Sequence, residues 1–282
     1  MGVDMKADKQ NGSVEADSAQ ARFASFAEPL VEDAAAQAAA LRADEHAEVL
    51  HKLRVALRRL RSLLWAYRPL LDRALDDRQR AVFKDLAAAA GKTRDWDVAI
   101  ELLGSTSDAG DFSVERLQEA RGEALNSSRE TLSHASINSE LRDALEAANR
   151  ELDALHQRTP LKQFARKRVE SAERSLHKRM RRASRAKKSD YESYHEVRKA
   201  GKKVRYLLEF FEPMLSRKQL KSAAALKKLQ KRFGALNDVV ASEDLLRRQP
   251  EVFQEPEEFR RAMAALEKER KRRVRAAAKL LQ

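Results

Sequence analysis

Two stretches of the chain set cations behind a histidine at three- and four-residue intervals: His51, Arg54, Arg58 and Arg61, then His195, Arg198, Lys202 and Arg205. That spacing gathers four side chains on one face of an α-helix. Guanidinium and ammonium groups lined up this way can hold phosphate oxygens, and an imidazole among them can donate a hydrogen bond to an anion, becoming charged as the anion arrives. Metal binding is a poorer reading, because the neighbours are cations and His46, five residues before His51, does not share its face. Each stripe runs beside an apolar seam displaced by one residue, roughly 100° around the helix. The seams are Leu50, Leu53, Leu57, Leu60 and Leu64 in the first copy and Tyr194, Val197, Gly201, Val204, Leu208 and Phe211 in the second. Neither stripe contains an acid, so like charges at i,i+4 repel and cost helix stability, which a bound polyanion relieves. The plainer reading, aliphatic stems covering the core edge with charged heads in water, serves one stripe better than two matched ones.

The match extends along the chain. HKLRVALRRLRSLLWAYRPLL at 51–71 aligns without gaps to HEVRKAGKKVRYLLEFFEPML at 195–215, pairing Arg59 with Lys203 and Pro69 with Pro213. Further on, LAAAAGKTRDWDVAIELL at 86–103 matches LQKRFGALNDVVASEDLL at 229–246, with Gly91 over Gly234 and Asp95 over Asp238. Two motifs in the same order at nearly the same spacing predict two related helical bundles about a pseudo-two-fold axis, the period being too long for a solenoid. Asp95 and Asp238 read first as acids at helix starts, favoured by the macrodipole, with Asn237 as a cap. The alternative, that they orient arginines of the stripes, stays open.

Composition supports an all-α reading. The chain has 282 residues with 57 Lys/Arg against 44 Asp/Glu, 8 Gly, 6 Pro and no Cys. Turn residues are too few to punctuate a large β-structure, and Ala, Leu, Arg, Lys and Glu dominate. Without cysteine there are no disulfides, thiol nucleophiles or Cys-ligated metals, which fits a reducing cytoplasm. No apolar run approaches the ~18 residues of a membrane span. Residues 1–50 hold 4 basic and 10 acidic side chains, so the remainder carries +19. From Arg158 to Lys188 there are 13 Lys/Arg and two acids, on a background where Phe164, Val169, Ala172, Leu176, Met180 and Ala183 mark a helix with one apolar side. Helical patterns fall at about 22–42, 45–68, 72–91, 95–104, 113–135, 138–157, 161–188, 191–212, 217–234, 237–247 and 256–281, after an expected disordered tail, 1–20. The breaks are assigned to Pro69, Pro213, the 104–110 loop, Thr159–Pro160, and Gly91 and Gly234 as left-handed helix ends.

Enzyme signatures fail on context. Gly91-Lys92-Thr93 resembles the end of a phosphate-binding loop, but Leu86 replaces the first glycine and no strand is expected before it. Glu267, Glu269 and Lys271 fit an ExExK pattern that needs a strand, whereas Met263, Leu266 and Val274 have helical spacing. No nucleophile with a base, metal site or cofactor motif emerges, and the chain is expected not to be an enzyme.

LHKLRVALRRLRS, YHEVRKAGKKVRYLLEFF, GKTRDWDV and GALNDVV together resemble the motifs of the conserved-histidine α-helical domain (CHAD) family, over about 22–281. The resemblance implies an all-α fold of two pseudo-symmetric four-helix bundles, halves at about 21–157 and 161–282, around a basic central groove or cavity. It implies non-catalytic binding of inorganic polyphosphate, often at cytoplasmic polyphosphate granules, with no cofactor. Motif by motif, the polyphosphate-binding roles fall on His51, Arg54, Arg58, Arg61, His195, Arg198, Lys202 and Arg205. The second copy departs in having Gly201 and Lys202 where the first has Leu57 and Arg58. A nucleic-acid-binding helical protein is the main rival, since the same charge attracts DNA or RNA, but the stripes lack interleaved aromatics. An enzyme acting on phosphate chains, or its accessory, is the third reading.

Overall fold

The computed structural model describes residues 17–41, 46–105, 114–187 and 190–281. Both expected seams are buried, from Leu50 to Leu64 and from Tyr194 to Phe211, and each lies on a single long helix. In chain order the helices are α1 (Ala19–Ala40), α2 (Ala47–Tyr67), α3 (Arg73–Ala89), α4 (Lys92–Gly104), α5 (Val114–His134) and α6 (Ile137–Ala154). They continue with α7 (Leu161–Arg185), α8 (Tyr191–Phe211), the one-turn α9 (Arg217–Leu220), α10 (Ser222–Arg248) and α11 (Pro256–Ala278). Among the described residues the only extended pairing is an isolated bridge between Ser18 and Pro160. Pro69 and Pro213 stop α2 and α8 as expected, each inside a short 3-10 turn, because proline lacks the N–H that would continue the ladder.

The glycine expectations are corrected. Gly91 precedes α4 with φ −99° and ψ −18°, a right-handed conformation. Gly234 ends nothing: α10 runs unbroken from Ser222 to Arg248, merging the two helices expected at 217–234 and 237–247. Glycine weakens a helix by only about 1 kcal/mol, and the buried Phe233, Leu236 and Val239 around it outweigh that cost. Of the expected disordered tail, residues 1–16 lie outside those described. The next four are ordered: the Ser18 hydroxyl caps α1 by accepting from Ala21 N, Ala19 N donates to Thr159 O at 2.7 Å, and Leu161 N donates to Asp17 O at 3.0 Å.

The chain forms two compact units that do not follow the sequence repeat. The first comprises residues up to Ala88 with Leu132–Glu173 and Lys203–Ser222; the second comprises Ala89–Thr131, Arg174–Lys202 and the chain from Ala223 onward. Each therefore draws on both halves. In the first, α1 packs on α2 and α6, and an aromatic cluster links Phe23 to Tyr67 at 4.8 Å, Tyr67 to Phe164 at 5.0 Å and Phe164 to Phe211 at 6.0 Å. Asp76, fully buried, is held at 3.2 Å by both Arg68 and Arg80, which compensate its desolvation. In the second unit Trp96, Leu103, Leu117, Val239, Leu246, Phe253 and Leu266 form the core, and buried Glu243 on α10 pairs with Arg270 on α11 at 3.0 Å.

Two glycines of this second unit behave oppositely. A methyl group added at Gly201 would lie 2.8 Å from Leu229 Cδ2, so its bare backbone lets α10 approach α8; at Gly234 nothing lies within 4 Å. Gly234→Ala is expected to raise stability by about 0.5–1 kcal/mol, and Gly201→Leu, the residue of the first copy, to lower it by roughly 1–3 kcal/mol through overpacking. Urea midpoints of the two variants shifting in the same direction would refute this account.

Candidate functional site

Half-burial is common to the stripe residues. His51, Arg54, Arg58 and Arg61 on α2 are each partly covered, as are His195, Arg198, Lys202 and Arg205 on α8. The seam side of each helix is locked into a core, so the cations beside it cannot turn wholly into water. The four residues of α2 lie in the first unit. On α8, His195, Arg198 and Lys202 belong to the second unit, and Arg205, one turn on, belongs to the first.

On α2 the stripe is crowded with charge. Burial lowers the pKa of Arg61, and the nearby guanidiniums of Arg80 and Arg58 lower it further, against the opposing pull of Asp85. Arg80, on α3, therefore adds a third guanidinium to the cluster of Arg58 and Arg61. Nδ1 of His51 and Nε of Arg61 are buried with no hydrogen-bond partner among the described residues. Toward the end of α2, Trp65 is engaged by two cations, the Arg168 guanidinium and Lys203 Nζ each 4.6 Å from the ring centroid, and Arg168 Nη2 donates to Trp65 O at 2.8 Å.

On α8 the histidine is positioned. The Tyr191 hydroxyl donates to Asn237 Oδ1 at 3.1 Å, and His195 Nδ1 lies 3.2 Å from the same oxygen. An acceptor there places the imidazole proton on Nδ1 and leaves Nε2 with a lone pair in the neutral ring. Burial lowers the pKa of His195, with help from Lys199 and Arg198, while Glu192 and the Asn237 contact pull the other way. Burial likewise raises the pKa of Tyr191 to about 12. In the first copy Ala47 and Arg94 stand where the second has Tyr191 and Asn237, so His51 has no such holder.

The second motif divides between its two readings. Asp95 is in the first turn of α4, as the macrodipole reading requires. Asp238 is not at a helix start, since α10 is continuous, and there the favoured reading is corrected: Asp238 interacts with Arg198, Lys202 and Arg94, and Asn237 binds Tyr191 and His195 instead of capping. Burial nevertheless dominates and raises the Asp238 pKa. The stripe free of acids in sequence thus meets one carboxylate from another helix. A second lies on its own helix, where Arg205 pairs with Glu209 at 3.1 Å. Arg80 and Tyr191 were missed in sequence because they sit outside the repeated cation spacing, and Asn237 was read there only as a cap; Asp76–Arg80 reads there as an ordinary i,i+4 surface pair. Gly91-Lys92-Thr93 follows a helix, and Glu267, Glu269 and Lys271 all lie on α11, so neither apparent enzyme signature has the strand it needs.

The CHAD domain family model matches residues 26–247. The chain belongs to the CHAD family. The crystal structure of the CHAD domain from the plant Ricinus communis superposes with a TM-score of 0.74 at 24% identity, covering 94% of this chain and 92% of that one. PptA from Streptomyces chartreusis gives 0.63 at 17% identity, covering 94% and 98%. At these identities both show that the all-α CHAD fold is shared. No curated protein matches the chain significantly.

The geometry around His195 makes a titration prediction. In the free CHAD protein its ring is expected to titrate below the ordinary 6.5, and Lys199→Gln should move it back upward. The sign for stability follows: with the folded-state value depressed, the unfolded chain takes up the proton first, so this group lowers stability as pH falls from 6.5 toward the folded-state value. Proton-detected titration of the ring settles it; a His195 value at or above 6.5 would sink the account.

Proposed function

We propose that the chain binds inorganic polyphosphate without processing it, and that this binding is its means of association with polyphosphate granules. The observation that carries the reading is a CHAD-family chain presenting, on both copies of its repeated helix, cations held half-buried at the edge of a core. A flexible chain of phosphates exchanges its condensed counterions for such fixed cations, and the released ions drive binding. The eight stripe residues provide the contacts, with Arg80 added on α3. Tyr191 and Asn237 hold His195, while Asp238 orients Arg198 and Lys202.

The nucleic-acid reading is weakened because the half-buried aromatic residues of the stripe helices, Trp65 and Tyr191, are both engaged already, Tyr191 through its hydroxyl with Asn237. Trp65 is already occupied by Arg168 and Lys203, and a base would have to displace a cation to stack there. No described helix is long and apolar enough to cross a membrane. An enzymatic role requires a metal or nucleophile, and metal-dependent phosphate release by purified protein would establish it in place of this proposal.

Competition between polyphosphate and single-stranded DNA at equal phosphate concentration tests the reading. Polyphosphate is expected to win, and its affinity to weaken with salt by about 0.7 log unit per log salt for each neutralised phosphate, by analogy with single strands. Equal affinities at every salt concentration, or a flat salt response, would overturn it. A bound polyanion also raises the His195 pKa, so affinity should increase as pH falls through the bound-state value and level off below the free-state one. His195→Gln should flatten that rise; an unchanged pH response would remove His195 from the site.

A further inference from the structure

The densest charge of the sequence is outside the repeated stripes. In the second unit α7 runs from Arg174 to its end with Leu176 and Ala183 buried and Met180 half-buried, while Arg174, Lys178, Arg181, Arg182 and Arg185, and Lys187 just past the helix, are exposed. Between Arg174 and Lys187 there are seven Lys/Arg and no Asp or Glu. Arg174 and Lys178, Lys178 and Arg182, and Arg181 and Arg185 are all i,i+4 pairs of like charge, each unfavourable to the helix.

A merely solvated face looks different, and α11 in the same unit shows how. It too is rich in cations, but Arg260 pairs with Glu257, Lys271 with Glu267, and Arg272 and Arg273 with Glu269. On α7 from Arg174 onward, Arg179 pairs with Glu196 of α8 at 3.1 Å, and Asp190 interacts with Arg182. Glu196 also accepts from Lys199 at 2.5 Å, and Lys199 is one of the cations acting on His195. The Arg179–Glu196–Lys199 bridge thus ties α7 to α8 within one unit, at residues adjoining the exposed α7 face on one side and the His195 end of the stripe on the other.

We infer that the α7 face from Arg174 to Lys187 is a second polyphosphate-binding surface, engaged by chains long enough to continue past the α8 stripe. The inference rests on the proposed function and adds a chain-length preference to it. About 17 Å of helix separates Arg174 from Arg185, a track and not a point. Its chemistry suits bare phosphates: it carries no Phe, Tyr or Trp for a base, and its one ring, the exposed imidazole of His177, sits one turn from both Arg174 and Arg181 and can donate to a phosphate oxygen. The only large hydrophobic residues exposed among those described are Val55 and Val114, neither on α7, which leaves nothing to insert into a lipid surface.

The test compares a short polyphosphate of defined length with a long one, on the full chain and on a variant carrying Arg174→Gln, Lys178→Gln, Arg181→Gln, Arg182→Gln and Arg185→Gln. Glutamine keeps the helix propensity and removes the charge; a pair variant, Arg181→Gln with Arg182→Gln, serves if the fivefold one fails to fold by circular dichroism. Wild type is expected to bind the long chain on the order of 10²-fold more tightly than the short one, by linked occupancy of stripe and face. The variant should keep the short-chain affinity, lose most of the long-chain advantage, and show a salt slope lower by about 0.7 per lost contact. A long-chain advantage that survives in the variant overturns the inference. So does a variant that loses single-stranded RNA binding while both polyphosphates are unaffected, which would assign the face to nucleic acid. Short chains bound with no gain for long ones sink this inference alone; no binding of either length by wild type sinks the proposed function with it.

Discussion

Like charges held half out of water beside a leucine seam set the terms for this molecule. A cation at that edge is partly desolvated and repelled by its neighbours one turn away, and neither cost is removed by rotating the helix, because Leu53 and Leu57 on α2, or Val197 and Val204 on α8, fix its orientation. Compensation has to come from elsewhere. Some is internal: Asp85 acts on Arg61, Asp238 on Arg198 and Lys202, and Glu209 on Arg205. The buried Asp76 shows a closer match, its Oδ2 shared by the guanidiniums of Arg68 and Arg80. The carboxylates that reach the stripes, Asp85, Asp238 and Glu209, are each shared with or offset by cations around them, so the stripes keep a net positive edge.

The two copies solve the same problem unequally. His195 is gripped through Asn237 and Tyr191, its proton assigned to one nitrogen, whereas His51 has Ala47 and Arg94 at the equivalent positions and a buried Nδ1 with no partner among the described residues. Gly201 admits Leu229 where the first copy has the buried Leu57. The repeated motif keeps its cation spacing, while the residues around it differ both on the stripe helix, at Ala47/Tyr191 and Leu57/Gly201, and on the second helix, at Arg94/Asn237.

Periodicity made the stripes, the seams and nearly every helix legible, because these depend on residues a few positions apart. The fate of Gly234 was not legible in the same way: whether a glycine ends a helix depends on what Phe233, Leu236 and Val239 bury on either side of it. Misplacing that one break also misplaced Asp238 and Asn237, which moved from imagined helix start to the interior of α10 and so to the side of His195 and Arg198. The compact units were hidden for a related reason. The repeat is a property of sequence order, but Leu132–Glu173 and Lys203–Ser222 join the first unit through packing between residues far apart in the chain.

The clasp at Ser18 and Pro160 bears on how the chain is made. Gln20 donates to Gln157 O at 2.9 Å and accepts from Thr159 N at 3.1 Å, alongside the backbone bonds of Ala19 and Leu161, so the start of α1 is tied to residues about 140 positions later. The apolar face of α1 also waits for Phe164 and Phe211, through Tyr67 and Phe26. During synthesis at about 5–20 residues per second, α1 leaves the ribosome several seconds before these partners exist. α2, made directly after it, is the partner that can shelter its hydrophobic side in the interval, and the clasp itself is a long-loop closure that α1 completes only after Phe211 has been made.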